Sequence, residues 1–419
     1  MQYKYLTEFL EIQGFMVVDV KRTERKGRTA VIVYLERTRR EYRCGGCGTL
    51  LATAYDSTEQ EVQHLMLWNH LTYVNLLRCR VNCPTCGIRT EALDFVTLRG
   101  PRLTKALAAL VAELCKVMSN QAVGLLQGLH RHTVKAIDKQ ALAAVQAQRS
   151  LDGITVLGVD EIAVGRGQTY WTMLSALDGP RGPELLAVVE GRKEKNLEKF
   201  WRWFGKHRAK LITHAVMDMW KAFRNSFTKH CPRVQIVYDK FHVIRHLLTA
   251  LNEVRKCEMR QAAGRFKGLL AGKKFILLSR QAHVRGKARQ ALEQLLSANR
   301  RLLKAHLLKE SFGHLWSYRS KTWARKFFHS WVSQLKWSRL KSYQQFARMV
   351  EKHLDGILSY CDKKVPLGYL ESTNLKARNV IRRAYGYRDK EYMKLKIIQA
   401  CTPWMNQFRP WATTHSLLP

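Results

Sequence analysis

Acidic residues are scarce in this chain of 419 residues, which holds 33 Asp and Glu against 72 Lys and Arg and has a formal net charge of +39. An enzyme that acts on a small anion does not need such an excess of positive charge. A partner with a regular array of negative charge explains the excess better, and nucleic acid fits that description more closely than an anionic membrane. Hydrophobic residues make up 46% of the chain, which excludes a disordered basic tail.

Long hydrophobic runs are also missing. No run reaches the roughly 18 apolar residues that a membrane-spanning helix requires, and the N-terminus lacks the basic-then-apolar layout of a signal peptide. The 10 cysteines are too few for a disulfide scaffold. These absences predict a soluble cytoplasmic protein with reduced thiols and no membrane partner.

Four of the cysteines stand in two C-x-x-C pairs. Cys44 and Cys47 lie in CGGCG, and Cys83 and Cys86 lie in CPTCG. A glycine after the second cysteine lets the chain turn so that backbone N–H groups approach the thiolates, and two such pairs supply the four ligands of a tetrahedral Zn²⁺ site. A redox pair or chance spacing is the alternative. The pairs predict a zinc-binding domain over residues 1–98.

A basic stretch lies directly before the first cysteine pair. Residues 21–43 hold nine basic and three acidic residues, and apolar and polar residues alternate over 28–43 as in a strand. The stretch is either a solvated charged face or an edge that contacts phosphates.

Residues 101–148 are predicted to form three helices. Apolar residues recur at helical spacing over 103–117, a short helix covers 121–126, and Gly128 turns the chain into a third helix over 130–144. A glycine turn before a helix with a basic first turn is typical of a helix-turn-helix, although any three-helix bundle has a similar pattern. On the helix-turn-helix interpretation, the residues expected to contact DNA are Arg131, His132, Thr133 and Lys135.

Beyond residue 150 the pattern changes to strands and helices in the order β-β-β-α-β-α-β. A three-stranded meander followed by α-β units is the layout of the ribonuclease H-like fold. Asp160 lies within the first predicted strand and Asp218 at the end of the fourth, and these strands are neighbours in that fold. Two carboxylates that meet there suit divalent metal ions and phosphoryl transfer, whereas an Asp at a strand end is also an ordinary cap.

A third carboxylate is expected from a helix near the C-terminus, in LGYLESTNLKARNVIRRAYGYR. Polar residues recur there every three or four positions, which places them on one helix face. These residues are Glu371, Asn374, Arg378, Arg382 and Tyr385. The face suits a phosphate site in which Glu371 holds metal and the arginines position the scissile strand. The alternative is a solvent-exposed basic helix.

A helix-rich region separates the second carboxylate from the third. Its residues 251–350 hold 23 Lys and Arg against 4 Asp and Glu. The pattern predicts an all-helical insertion over 246–358 between two parts of the catalytic core, 151–245 and 359–401, and assigns no structure to the tail 402–419. Four tryptophans lie in the insertion: Trp316, Trp323, Trp331 and Trp337. Basic surface with aromatic side chains suits DNA, including unstacked bases, whereas helix-bundle packing is the other explanation.

Together, four motifs resemble the DDE transposases of bacterial insertion sequences, specifically the ISL3 family. The motifs are GVDE with Asp160, MDMW with Asp218, DKFHVIRH and GYLESTNLKARNVIRRAYGYR with Glu371. The cysteine pairs and helix-turn-helix match that family's layout, so the resemblance covers nearly the whole chain. It implies that Asp160, Asp218 and Glu371 form a triad for Mg²⁺ or Mn²⁺, and that the N-terminal domains recognise terminal inverted repeats. Ser372 departs from the glycine expected there, a small change that leaves the triad in place.

The resemblance also includes a D-x-x-H feature of related transposases. Here it consists of Asp239 and His242, which join Asn374, Arg378 and Arg382 as supporting residues near the site. The resemblance implies a multidomain α/β transposase that cleaves double-stranded DNA at its element's ends and joins the freed 3′-hydroxyl to another strand. Because two ends must meet, a homodimer or larger assembly is expected, associated with the bacterial nucleoid. The alternatives are a DNA-binding regulator without catalysis and a structure-specific nuclease of the same fold.

Overall fold

The structure, a computed structural model, describes residues 3–97, 102–165, 167, 169–362, 364–365, 368–384 and 386–407. The chain folds into two compact units and crosses between them more than once. The first unit contains residues 1–149, 387–399 and 403–419, and the second contains residues 150–386 and 400–402. Tyr385 and the tail residues 408–419 lie outside the described residues.

A five-stranded sheet forms the centre of the first unit. Its elements are α1 (Lys4–Leu10), β1 (Phe15–Arg25), β2 (Arg28–Arg37), β3 (Tyr42–Arg43), β4 (Leu50–Leu51), β5 (Asp56–Leu67), β6 (His70–Cys83) and β7 (Gly87–Thr90). The strand order is β1-β2-β6-β5, with β7 also paired to β6, and β3 and β4 form a separate hairpin. Strands β2 and β6 run parallel, and the other pairs of the sheet are antiparallel. Alternate apolar side chains such as Val33, Val62 and Val74 form its buried core.

Three helices follow this sheet: α2 (Lys105–Leu114), α3 (Asn120–Gln127) and α4 (Arg131–Ala147). The hydroxyls of Thr104 and Ser119 cap the first two helices by accepting backbone N–H groups at 3.3 and 3.2 Å. Gly128 ends α3 with φ 64°, a left-handed conformation that glycine adopts readily. A Cβ atom at this position would also lie 2.9 Å from the side chain of Leu71. These caps and the glycine explain why the three predicted helices begin and end close to the predicted positions.

A second five-stranded sheet begins the second unit. Its elements are β8 (Val156–Ala163), β9 (Tyr170–Ala176), β10 (Glu184–Glu190), α5 (Glu194–Phe204), α6 (Lys206–Leu211), β11 (His214–Met217), α7 (Lys221–His230) and β12 (Gln235–Tyr238). The strand order is β10-β9-β8-β11-β12. The first three strands are antiparallel, and β8, β11 and β12 are parallel to one another. The α/β class predicted from the sequence is therefore confirmed.

Helices fill the rest of the second unit. They are α8 (Lys240–Gln261), α9 (Gly264–Leu270), α10 (Lys274–Leu278), α11 (Gly286–Ala298), α12 (Arg300–Phe312), α13 (Lys321–Ser333), α14 (Lys341–Lys352), α15 (Leu354–Asp362) and α16 (Gly368–Arg383), with 3₁₀ turns at Gln281–His283 and Gly313–Ser317. Within the described ranges, none of the helices of the chain is long and apolar enough to cross a membrane.

The four tryptophans of the helical region have different environments. Trp331 is buried in the core and donates its indole N–H to the carbonyl of Leu308 at 3.0 Å. Trp316 is partly buried against the same core. Trp323 and Trp337 are 61% and 83% exposed. Helix packing therefore explains two of the four, and the other two are open to solvent.

The C-terminal segment returns to the first unit through α17 (Lys390–Cys401), which is followed by a 3₁₀ turn at Pro403–Asn406. Residues 387–399 belong to that unit, whereas the sequence pattern places all of 359–401 in the catalytic core. Contacts with α4 explain the difference. The Asp389 carboxylate accepts hydrogen bonds from Lys135 and Lys139, and the Tyr392 hydroxyl donates to Asp138.

Candidate metal centres and active site

The four paired cysteines converge beside the sheet of the first unit. Cys44 and Cys47 lie in the connection between β3 and β4, while Cys83 ends β6 and Cys86 lies in the turn to β7. All four sulfur atoms lie within 4.8 Å of one another, and those of Cys47 and Cys83 are 3.5 Å apart. Zn–S bonds of about 2.3 Å in a tetrahedral centre separate the sulfurs by about 3.8 Å. The cluster therefore fits one zinc ion.

Glycines allow this close approach. Gly48 and Gly87 follow the second cysteine of each pair and have φ values of 80° and 69°, which favour glycine. Gly46 donates its backbone N–H to the Cys44 sulfur at 3.4 Å. A Cβ atom on Gly46 would lie 2.9 Å from the Cys86 sulfur. Side chains at these positions would disturb either the turns or the packing of the thiols.

The thiols also influence one another's ionisation. Hydrogen bonds from Thr49 lower the pKa of Cys47 to about 6. The hydrogen bond with Cys47 and the charge of the neighbouring thiolates raise the pKa of Cys86 to about 12. A divalent cation among the sulfurs would remove this repulsion. In the part of the chain that the structure describes, these cysteines are the one group of three or more potential ligands close enough to share a metal.

A second candidate site lies where β8 and β11 pair in parallel. The pairing of β8 with β11 ends at Gly158 and Val216, and a continuation of the same register by two positions brings Asp160 opposite Asp218, which directly follows β11. Aligned residues of neighbouring strands project from the same face of a sheet. Asp160 is only 8% exposed, and burial raises the pKa of both carboxyl groups. A buried and a half-buried carboxylate in one region suit a cation, which would offset their desolvation and mutual repulsion.

Asp239 and His242 lie beside this pair. The Asp239 carboxylate caps α8 by accepting the N–H of Phe241 at 2.9 Å, and it contacts Nδ1 of His242 at 3.3 Å. The hydrogen bond with Asp239, with the charge of Asp160 adding to it, raises the pKa of His242. The positive charge of His242 in turn opposes the rise that burial causes in the pKa values of Asp160 and Asp218. The structure therefore brings these four residues together.

Helix α16 contributes Asn374 to the site. Its side-chain N–H donates to the second oxygen of Asp160 at 2.5 Å, and the first oxygen of Asp160 accepts the backbone N–H of Glu161 at 2.8 Å. Gly158 permits the close packing of α16 on β8, because a Cβ there would lie 2.7 Å from Leu370. The side-chain oxygen of Asn374 is buried, and no described group bonds to it. This open acceptor and the carboxylates of Asp160 and Asp218 fit a hydrated divalent cation.

Glu371 lies one turn before Asn374 in α16, and its side chain is exposed. Arg378 and Arg382 are exposed further along the same helix. Across the described residues, the carboxylates of Asp160, Asp218 and Glu371 do not lie within shared-metal distance. Because three carboxylates repel one another, their approach requires a cation. The structure thus places Glu371 on α16, the same helix as Asn374, and does not bring the three carboxylates together as one metal-binding group.

The predicted DNA-contacting residues lie in the first two turns of α4. Arg131 and His132 are exposed, whereas Thr133 and Lys135 are half-buried. Lys135 forms an ion pair with Asp389 at 3.2 Å, and Lys139 shares the same carboxylate at 3.0 Å. Lys135 is therefore already paired with a carboxylate. The sequence around Lys135 gives no sign of this ion pair.

Basic residues of the N-terminal strands hold the turn before α4. Lys26 donates to the carbonyl of Gly128 at 2.5 Å, and Arg28 donates to that of Leu126 at 2.9 Å. The side chain of Gln63 donates to the carbonyl of Gln127 at 2.7 Å. These bonds satisfy carbonyls at the end of α3. Part of the basic stretch thus has a structural role and orients the start of α4.

Comparisons with known proteins identify relatives over most of the chain. Residues 157–397 match the ISL3 DDE family, described as transposase, and residues 40–86 match the zinc finger of the transposases of IS204, IS1001, IS1096 and IS1165. The transposase for insertion sequence element IS1001 of Bordetella parapertussis is 30% identical over 390 residues, which cover 92% of this chain and 95% of the relative. The transposase for insertion sequence element IS1557 of Mycobacterium tuberculosis is 26% identical over 377 residues, with 83% of each chain covered. The matched regions include all four paired cysteines and the three carboxylates of the predicted triad.

Proposed function

We propose that this chain, which belongs to the ISL3 family of transposases as its sequence predicts, cleaves DNA at the ends of an insertion sequence and joins the freed ends to another strand. The observation that supports the chemistry is the pair of Asp160, which is buried within β8, and Asp218, which is half-buried directly after the parallel strand β11, with Asn374 bonded to Asp160. Both relatives are transposases of insertion sequences, which supports the same activity here.

The strand order supports a ribonuclease H-like catalytic core. Three antiparallel strands continue into two parallel strands that are each preceded by helices. Helices α8 to α15 would form the insertion, because they separate the last strand from α16. The excess of 23 basic over 4 acidic residues in 251–350 supports binding of this region to the DNA backbone.

Asp160, Asp218 and Glu371 would hold Mg²⁺ or Mn²⁺, which supplies activation of the attacking oxygen and stabilisation of the leaving oxygen. In cleavage, a water molecule loses a proton and its oxygen bonds to the boundary phosphorus, the bond from phosphorus to the 3′-oxygen breaks, and that oxygen takes up a proton. In joining, the freed 3′-hydroxyl loses its proton, attacks a phosphorus of the other strand and displaces the 3′-oxygen of that strand, which takes up a proton. His242 lies where it would hold a proton beside the carboxylates, and Arg378 and Arg382 would bind phosphates.

The first unit would recognise the terminal inverted repeats. The four cysteines would bind zinc and so stabilise the sheet whose basic residues hold the start of α4. Arg131, His132 and Thr133 would contact DNA directly. Lys135 would reach a phosphate only by exchanging its bond to Asp389. Because two ends must be joined, the active form on DNA would be a homodimer or larger assembly.

The test is cleavage and joining of linear DNA that carries the element's ends, in Mg²⁺ or Mn²⁺. We expect 3′-hydroxyl ends at the boundary and joined strands with the wild type, and neither product with Asp160→Asn, Asp218→Asn or Glu371→Gln. DNA with scrambled ends is the control. Cleavage of branched DNA without regard to the ends would identify a structure-specific nuclease. Specific binding without metal-dependent nicking would identify a regulator.

A further inference from the structure

The proposed chemistry does not use a packed group at the edge of the carboxylate site. The Arg192 guanidinium lies 4.3 Å from the ring centre of Tyr170 and 4.6 Å from that of Trp220. It also contacts both carboxylate oxygens of Glu161 at 3.2 and 3.3 Å. The Trp220 indole N–H donates to the backbone carbonyl of Arg192 at 3.2 Å. Two rings and a carboxylate therefore hold the guanidinium in place.

This group ties Trp220 to the catalytic carboxylates. The backbone N–H of Trp220 donates to Asp218 at 3.0 Å, and Glu161 directly follows Asp160 in β8. The Trp220 side chain is nevertheless 41% exposed. Arg192 covers part of the indole and fixes its orientation. The exposed part of the indole is therefore an apolar surface held beside the carboxylates.

The burial of Asp160 suggests what this surface binds. Asp160 is only 8% exposed, so the scissile phosphate reaches it more easily when the duplex is distorted at the cleavage position. Such distortion takes a nucleotide out of the base stack, and unstacking costs a few kcal/mol unless a new partner receives the base. Aromatic side chains provide such a partner for every base because each base has a π face.

We propose that the exposed indole of Trp220 stacks on an unpaired base beside the scissile phosphate, and that Arg192 is the residue that positions the indole. The inference rests on the proposed function, because it presupposes cleavage of end DNA. The ligand is a nucleobase of any sequence that has left the duplex at the cleavage position.

The experiment compares wild type, Trp220→Ala and Trp220→Phe on end DNA that is either fully paired or mismatched at the boundary. Trp203→Ala is the matched control, because Trp203 is similarly exposed at 44%, lies on α5 and packs its ring near that of Phe200. We expect Trp220→Ala to reduce cleavage of paired DNA by about tenfold to hundredfold. Mismatches should restore most of that loss, since they remove the need to unpair the base. Trp220→Phe should retain most activity, and Trp203→Ala should match the wild type on both substrates.

A binding measurement checks stacking without chemistry. A 2-aminopurine base at the boundary should be quenched by wild type and by Trp203→Ala, and should become brighter with Trp220→Ala. Arg192→Lys keeps the charge but loses the planar stack, so it should show a smaller loss of cleavage that mismatches also restore. Equal loss on paired and mismatched DNA, or no loss with Trp220→Ala, would overturn the stacking proposal. Failure of the wild type to cleave end DNA would instead overturn the proposed function.

Discussion

The four-cysteine cluster and the carboxylate site differ in how completely the folded chain assembles them. All four sulfurs lie within 4.8 Å of one another before any metal is considered. At the carboxylate site, the fold aligns Asp160 with Asp218 and leaves Glu371 exposed on α16. A site with every ligand in place favours a structural metal, whereas a site with an open position keeps room for substrate. The comparison therefore favours a structural role for the first site and the proposed chemistry for the second.

Of the variants that test this comparison, Glu371→Gln should have the largest effect, and that effect should be on cleavage of end DNA. If Glu371 completes the carboxylate site, cleavage of end DNA should fall by about a thousandfold or more, because a metal ion contributes several kcal/mol to the transition state. Affinity for end DNA should remain unchanged. The control is Glu391→Gln, since Glu391 is an exposed glutamate in the first turn of another helix. Undiminished cleavage by Glu371→Gln would show that the pair of aspartates acts without it.

Replacement of Cys47 by Ser should disrupt metal binding at the four-cysteine cluster. Loss of one thiolate should remove zinc from the protein, lower the melting temperature of the first unit and weaken binding to end DNA by about tenfold or more. Cys79→Ala is the control, because Cys79 lies near the second pair in sequence but outside the cluster. Zinc content, measured by atomic absorption, decides the point. A full zinc content in Cys47→Ser would contradict a four-thiolate site.

Substitutions at two glycines distinguish the effect of crowding the sulfur atoms from the effect of straining the backbone. Gly46→Ala should reduce zinc affinity by about tenfold, because the new Cβ would lie 2.9 Å from the Cys86 sulfur. Gly48→Ala should leave zinc affinity unchanged and reduce stability by about 1 kcal/mol, because its φ is 80° and its surroundings are open. Competition with a zinc-binding dye measures the affinities. Equal zinc affinities of the two variants would refute this distinction.

The smallest effect is expected from replacement of Asp389, which lies outside both candidate metal sites and should change only the stability of the first unit. The backbone N–H of Tyr392, together with Lys139 and Lys135, lowers the pKa of Asp389 to about 2. A lowered pKa stabilises the fold above the ordinary pKa of about 4, and this contribution is lost as the pH falls towards about 2. Asp389→Asn should therefore destabilise the first unit by about 1 kcal/mol at neutral pH and by less near pH 2.

Thermal unfolding at both pH values measures this contribution. Asp355→Asn is the control, because the Asp355 side chain is 92% exposed. A difference between Asp389→Asn and wild type that stays the same at both pH values would show that the Asp389 carboxylate charge is not its source.

Local patterns predicted much of the fold and the cysteine site. The four cysteines lie in two short motifs, so their spacing alone indicates the site. The strands and the glycine at the end of α3 follow from alternation and from backbone preference. Asp160 and Asp218 could be brought together only through the strand order, which the meander and the α-β units indicated.

Contacts between distant residues were not predictable in this way. Nothing near Asp389 indicates a bond to Lys135, because the two are separated by 254 positions. The basic stretch at residues 21–43 was interpreted as a solvated face or a phosphate-binding edge, yet Lys26 and Arg28 bond to carbonyls at the end of α3. Likewise, the packing of Arg192 between two rings depends on tertiary structure, since an arginine and an aromatic residue carry no spacing rule that joins them.

The most direct measurement compares Asp160→Asn with wild type in zinc content, affinity for end DNA and formation of 3′-hydroxyl ends in Mg²⁺. The separation of a structural from a catalytic site predicts unchanged zinc and affinity, with no cleaved product from the variant. Cleavage by Asp160→Asn at the wild-type rate would contradict the assignment of chemistry to the carboxylate site.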